Sequence, residues 1–245
     1  MSSDASIASV DPPLPPDSSA SYVAAALGNS ASPPESDHPL LAQCKLIYQS
    51  LRKSAPPSAS PPHVVGVTSC YDGEGVTTVA SQLAMAAAAE GRRALLVDAN
   101  FTSPSLHRLE DGSPSPGLTD ALADDRPFDE IIRQVPDRGV ALVTAGGPPS
   151  ATNGHVPARM QAFVRYVEEH YAFAVFDLPP LCRPADTVAL CELLHGVLLV
   201  IQSERVRWPV AKRFVADLQR SGATTLGAVM NRRRQHIPGW LYRTL

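Results

Sequence analysis

Between residues 63 and 232 short apolar runs alternate with longer amphipathic ones. The runs at 64–68, 94–97, 140–144, 173–176, 196–201 and 226–230 are rich in Val, Leu, Ile and Phe, and most are apolar at every position. Strands covered on both faces have that character, whereas half-exposed strands alternate. Segments 77–90, 157–170, 186–194 and 209–220 carry apolar residues at helical spacing. This β-α alternation predicts an α/β fold, a doubly wound and mostly parallel sheet with right-handed crossovers. In such sheets a ligand sits beyond the carboxyl ends of the strands.

The flanks read differently. Residues 1–37 are rich in Pro, Ser and Ala, a composition that predicts a disordered tail. An apolar patch at 22–27 interrupts it and is a candidate docking motif or transient helix. Residues 38–53 place Leu40, Leu41, Cys44, Ile47, Tyr48 and Leu51 at helical spacing, with Asp37 as a candidate N-cap and Pro39 in the first turn. Residues 54–62 (SAPPSASPP) form a Pro-rich linker, so 38–62 reads as amphipathic helix plus linker and 63–245 as the main domain.

Composition narrows the function. A formal net charge of −3 supplies no global attraction to nucleic acid or to an anionic membrane. The four cysteines form no C-x-x-C pair and no metal-ligand spacing, which suits reduced thiols in a cytosolic protein. No apolar run reaches the roughly 18 residues that a membrane-spanning helix needs, and the acidic N-terminus is not a secretory signal. The expectation is a cytoplasmic chain with no nucleic-acid partner, brought to the inner face of the membrane only through another protein.

The chemistry gathers where the first core strand ends. Ser69-Cys70-Tyr71-Asp72-Gly73-Glu74-Gly75-Val76-Thr77-Thr78 has the frame of a phosphate-binding loop: an apolar run before it, two glycines inside it and a helix after it. Its backbone N–H groups and the helix N-terminus would face the phosphates, and Thr77 would offer a hydroxyl to magnesium. The residue before Thr77 should be lysine in this motif, and here it is Val76. Asp98 and Asp177 end two other apolar runs, at the sheet edge where ligands bind.

These features resemble the bacterial tyrosine kinases of capsular and exopolysaccharide biosynthesis, within the ParA/MinD-like P-loop group. The matching stretches are VVGVTSCYDGEGVTTVASQLA, RRALLVDANFTSPSLHRL, PGLTDALAD, FAVFDLPPLCRPADTVAL, HGVLLVIQSE and LGAVMNR. The resemblance implies a P-loop NTPase fold, ATP and Mg as cofactors, and a membrane chain-length or export protein as partner, with a homo-oligomer among the expected assemblies. It places Gly73, Glu74, Gly75, Val76, Thr77, Thr78 and Asn231 at the nucleotide. It makes Asp98 and Asp177 catalytic and, with Thr77, metal-binding.

Several positions depart from the family's pattern. Val76 replaces the loop lysine, Asn100 stands for the second aspartate of the second acidic motif, and Thr102 and Ser103 stand where arginines are usual. The oligomerising pattern Glu, Arg, Arg becomes Leu46, Gln49, Arg52, and the tail GWLYRTL carries a single tyrosine, Tyr242. Asp72 adds an unusual negative charge to the loop, and no basic residue near it in sequence replaces the lysine; Arg92 and Arg93 precede the second core strand, at its far end. The leading expectation is a catalytically impaired regulatory or scaffold subunit. An active ATP-dependent autokinase and a ParA/MinD-like positioning ATPase are the alternatives.

Overall fold

A computed structural model describes residues 23–28, 39–53, 63–110, 112–124, 126–147 and 156–233. The strands are β1 (Val23–Gly28), β2 (Val64–Ser69), β3 (Ala94–Asp98), β4 (Ile132–Val135), β5 (Val140–Val143), β6 (Phe173–Asp177), β7 (Gly196–Gln202) and β8 (Thr225–Arg233). The helices are α1 (Pro39–Lys53), α2 (Val76–Ala89), α3 (Leu118–Ala123), α4 (Val156–His170), α5 (Pro184–Leu193) and α6 (Trp208–Arg220). The strands form one sheet in the order β1-β8-β7-β2-β6-β3-β5-β4. Every pairing is parallel except β4 with β5. The predicted doubly wound α/β sheet is therefore the fold.

The continuously apolar strands serve two cores at once. Successive side chains of a strand point to opposite faces. Leu95 and Val97 of β3, and Ala174 and Phe176 of β6, join one cluster with Phe163 of α4, Cys191 of α5 and Leu218 of α6. The intervening Leu96, Phe173 and Val175 join the other, with Leu83 of α2 and Ile47, Tyr48 and Leu51 of α1. Tyr48 meets the Phe173 ring edge-on at 4.8 Å, which fastens α1 to the sheet. Both faces are dry, so neither face needs a polar residue.

Three elements go beyond the expected set. Short α3 follows the PGL turn, and its six residues are too few for a periodic signal. β4 is polar at Arg133 and Gln134 and closes an antiparallel hairpin on β5. β1 lies within the stretch read as a tail, and its residues 23–28 pair in parallel with β8. The physical reason is the row of backbone N–H and C=O groups on the outer side of β8, a template for any segment free of Pro and charge. VAAALG is such a segment. Asp37, the linker 54–62 and Tyr242 lie outside the described residues.

Candidate functional site

The strand order puts β2 between β7 and β6. The loop that leaves β2 is therefore flanked by the loops that leave those two strands. Gly73 and Gly75 have φ of 78° and 95°, a left-handed backbone that glycine adopts without strain. A Cβ on Gly75 would also collide with Nδ2 of Asn231. That amide donates to the carbonyl of Glu74 at 2.8 Å and ties the loop to the end of β8. The side chain of Glu74 is fully buried, and its Oε2 accepts from the Cys70 N–H at 3.1 Å. Burial raises its pKa, opposed by the N–H groups of Cys70 and Tyr71 and by the Arg205 charge.

Helix α2 begins at Val76 with Gly75 at its N-cap and no side-chain cap. Its first backbone N–H groups are left for a ligand, with the positive end of the helix dipole behind them. Val76 is half-buried and packs against the apolar cluster beneath α1 and α2. Thr78 is exposed at the same helix start. Thr77 points to the sheet: its Oγ1 donates to Asp177 Oδ2 at 2.7 Å and accepts from Ser105 Oγ at 3.3 Å.

Asp98 and Asp177 stand side by side because β3 and β6 pair in parallel with these two residues in register. Their situations differ. Asp98 is fully buried and accepts three backbone N–H groups: Asn100 at 3.2 Å on Oδ1, and Ser105 at 2.9 Å and Leu106 at 3.0 Å on Oδ2. Burial raises its pKa and those three bonds oppose the rise. Asp177 is 1 % exposed, and its Oδ1 has no hydrogen-bond partner among the described residues. Burial pushes its pKa up to about 7, with the Thr77 hydroxyl lowering it and the neighbouring Asp98 raising it. A buried, unpartnered carboxylate oxygen is costly unless a cation or proton meets it. A divalent cation between Thr77 Oγ1 and Asp177 Oδ1 fits this donor set.

Asn100, in place of the second aspartate, uses its Oδ1 to accept the Ser103 N–H at 3.2 Å, so it shapes its own loop. Two arginines remote from the loop in sequence lie beside it in the fold. Arg205, in the loop after β7, donates from Nη1 to the carbonyl of Asp72 at 2.9 Å. Arg183, in the loop after β6, meets Asp72 Oδ2 at 3.1 Å. They lie 111 and 133 residues from Asp72 in the chain, so proximity in sequence could not reveal them. The available signal was their place, each just past the end of a core strand.

No family model matches the chain. Among curated proteins it is similar to the tyrosine-protein kinase YwqD of Bacillus subtilis, 28% identical over 168 residues that cover 68% of this chain and 71% of that protein. It is also similar to the succinoglycan biosynthesis transport protein ExoP of Rhizobium meliloti, 25% identical over 71% of this chain but only 23% of that protein. Among solved structures the kinase domain of the Escherichia coli tyrosine kinase ETK superposes with a TM-score of 0.74 at 21% identity, covering 80% of this chain and 77% of that one. MinD of Pyrococcus horikoshii, complexed with Mg-ADP, superposes with a TM-score of 0.58 at 22% identity, over 74% of this chain and 76% of that one. The glycine loop, the paired strand-end aspartates and these likenesses converge: the chain is similar to bacterial tyrosine-protein kinases and shares the fold of a tyrosine-kinase domain and of MinD.

Proposed function

We propose that this chain binds a magnesium nucleotide but transfers phosphate poorly, and that it serves as a regulatory or scaffold subunit in capsular or exopolysaccharide production. The observation that carries the reading is the contrast between Val76 and Asp177. Val76 packs into apolar surroundings where the motif would present an ammonium group. Asp177 keeps an open buried oxygen beside the Thr77 hydroxyl. The metal position is retained while the phosphate cation of the loop is gone.

Thr77 and Asp177 would hold magnesium, with Asp98 beside them. The ion would supply charge to the phosphate oxygens. The glycine loop and the start of α2 would cradle the phosphates with backbone N–H groups. A charge-assisted contact to phosphate is worth about 1.5–3 kcal/mol, so losing the lysine weakens binding by roughly tenfold to a hundredfold. The loss in the transition state is larger, since electrostatic stabilisation dominates phosphoryl transfer. Asp98 is drawn into loop hydrogen bonds, which suits a residue that now holds structure.

The partner in this reading is a membrane chain-length or export protein, in line with the transport protein among the relatives. No helix among the described residues is long and apolar enough to cross a membrane. The chain would work in the cytoplasm and reach the inner membrane face through that partner. In the oligomerising segment, Gln49 donates to Glu90 at 3.0 Å and Arg52 pairs with Glu90 at 3.7 Å, while Leu46 is exposed. Two of the three positions thus bond within the chain, which favours a weaker self-association than in an active kinase.

The test is autophosphorylation of the purified chain with ATP and magnesium. The expected result is no phosphotyrosine, with a measurable thermal shift in millimolar nucleotide. A ligand at about 100 times its dissociation constant adds about 2.7 kcal/mol to stability. Robust tyrosine phosphorylation that Asp177→Ala abolishes would overturn the impairment and support the active autokinase instead.

A further inference from the structure

We infer that Arg183 and Arg205 together supply the phosphate-binding charge that the loop lysine no longer provides, and that the Asp72 carboxylate holds Arg183 in place as an internal anion. The inference rests on the nucleotide-binding reading above. Its basis is the placement of the two guanidinium groups. Arg205 Nη1 lies over the glycine loop, 3.6 Å from where a Cβ of Gly73 would stand, and bonds the Asp72 carbonyl. Arg183 approaches from the opposite flank and pairs with the Asp72 carboxylate. The two arginines come from the strands on either side of β2, so they close on the loop from both sides.

The site between them points to a phosphate for a second, independent reason. Beyond the loop lie the uncapped start of α2 and the buried, unpartnered Oδ1 of Asp177. A phosphate chain carrying magnesium would satisfy both. The Asp72–Arg183 pair is about half exposed on each side, 49%/55%, and such ion pairs are weak. A phosphate group offers more charge and a bidentate geometry to guanidinium than one solvated carboxylate does. Exchange of Asp72 for phosphate is therefore favourable. Asp72, a departure from the family's loop, then has a function: its carboxylate holds Arg183, and its backbone carbonyl holds Arg205, at the mouth of the loop when no nucleotide is there.

The experiment is isothermal titration of the full chain with Mg·ATP and with Mg·ADP, for the wild type and for Arg183→Met, Arg205→Met and Asp72→Ala. Circular dichroism melts of each variant check the fold, and these exposed positions are expected to leave it intact. The wild type should bind ATP more tightly than ADP. Each arginine variant should bind ATP about tenfold more weakly and lose most of the preference over ADP. Asp72→Ala should bind ATP more tightly than the wild type, because the competing anion is gone. Wild-type binding with unchanged affinity in both arginine variants overturns the inference and leaves the nucleotide reading standing. An Asp72→Ala variant that binds no more tightly overturns the internal-anion part. No binding by the wild type overturns both readings, since the arginines then do not replace the lysine.

Discussion

Asp177, the carboxylate proposed to hold magnesium, is also a cost to the fold. Its pKa rises from 3.8 to about 7 chiefly through burial. The folded chain thus holds this proton more tightly than the unfolded chain does. With respect to this group stability is greatest below about pH 4 and falls as pH rises through about 7. Asp177→Asn has no proton to lose. In magnesium-free buffer its melting temperature should depend less on pH than that of the wild type, between about pH 4 and pH 8. Parallel melting curves for the two proteins across that range would refute the assignment. Asp98 is raised in the same direction, so some pH dependence remains in the variant. The residue scale also separates the two aspartates that the sequence treated alike. Asp98 and Asp177 both end apolar strands, but only the folded structure shows that one caps a loop and the other keeps an oxygen open.

Among the elements, the six central strands and five longer helices could be read from the chain because each has a periodic or continuous apolar signal. The edges could not. β4 is short and half polar, and β1 sits in a segment whose surrounding Pro and Ser residues point to disorder. An edge strand is defined by the backbone row it joins, and that row belongs to β8. The pairing has a consequence for exchange. Deleting residues 1–30 should expose the outer side of β8 and speed hydrogen exchange at the amides of Gly227–Met230 that face β1, while β2 and β6 stay protected. Unchanged protection along β8 would show that β1 does not cover it in solution. The loops follow the same logic as the edges. The glycine loop was visible as a motif, but the arginines that close over it come from loops brought together only by the strand order.

For the whole molecule, two dry faces on one sheet explain where the reactive groups lie. Cys44, Cys70 and Cys191 are buried, and burial pushes each thiol up to about 12. Cys182 is exposed in the loop after β6. A thiol reagent should therefore modify one cysteine quickly in the native protein and the other three only after denaturation. Rapid native labelling of two or more would mean that a core face opens readily. By itself the sequence determined the layered α/β class, the place of the glycine loop and the valine at position 76 within it, because apolar periodicity and glycine spacing are local properties. The tertiary structure decided the rest: which aspartate stays open, which strand covers the edge, and that Arg183 and Arg205 reach the loop. Those outcomes depend on strand order and register, which bring together residues more than a hundred positions apart.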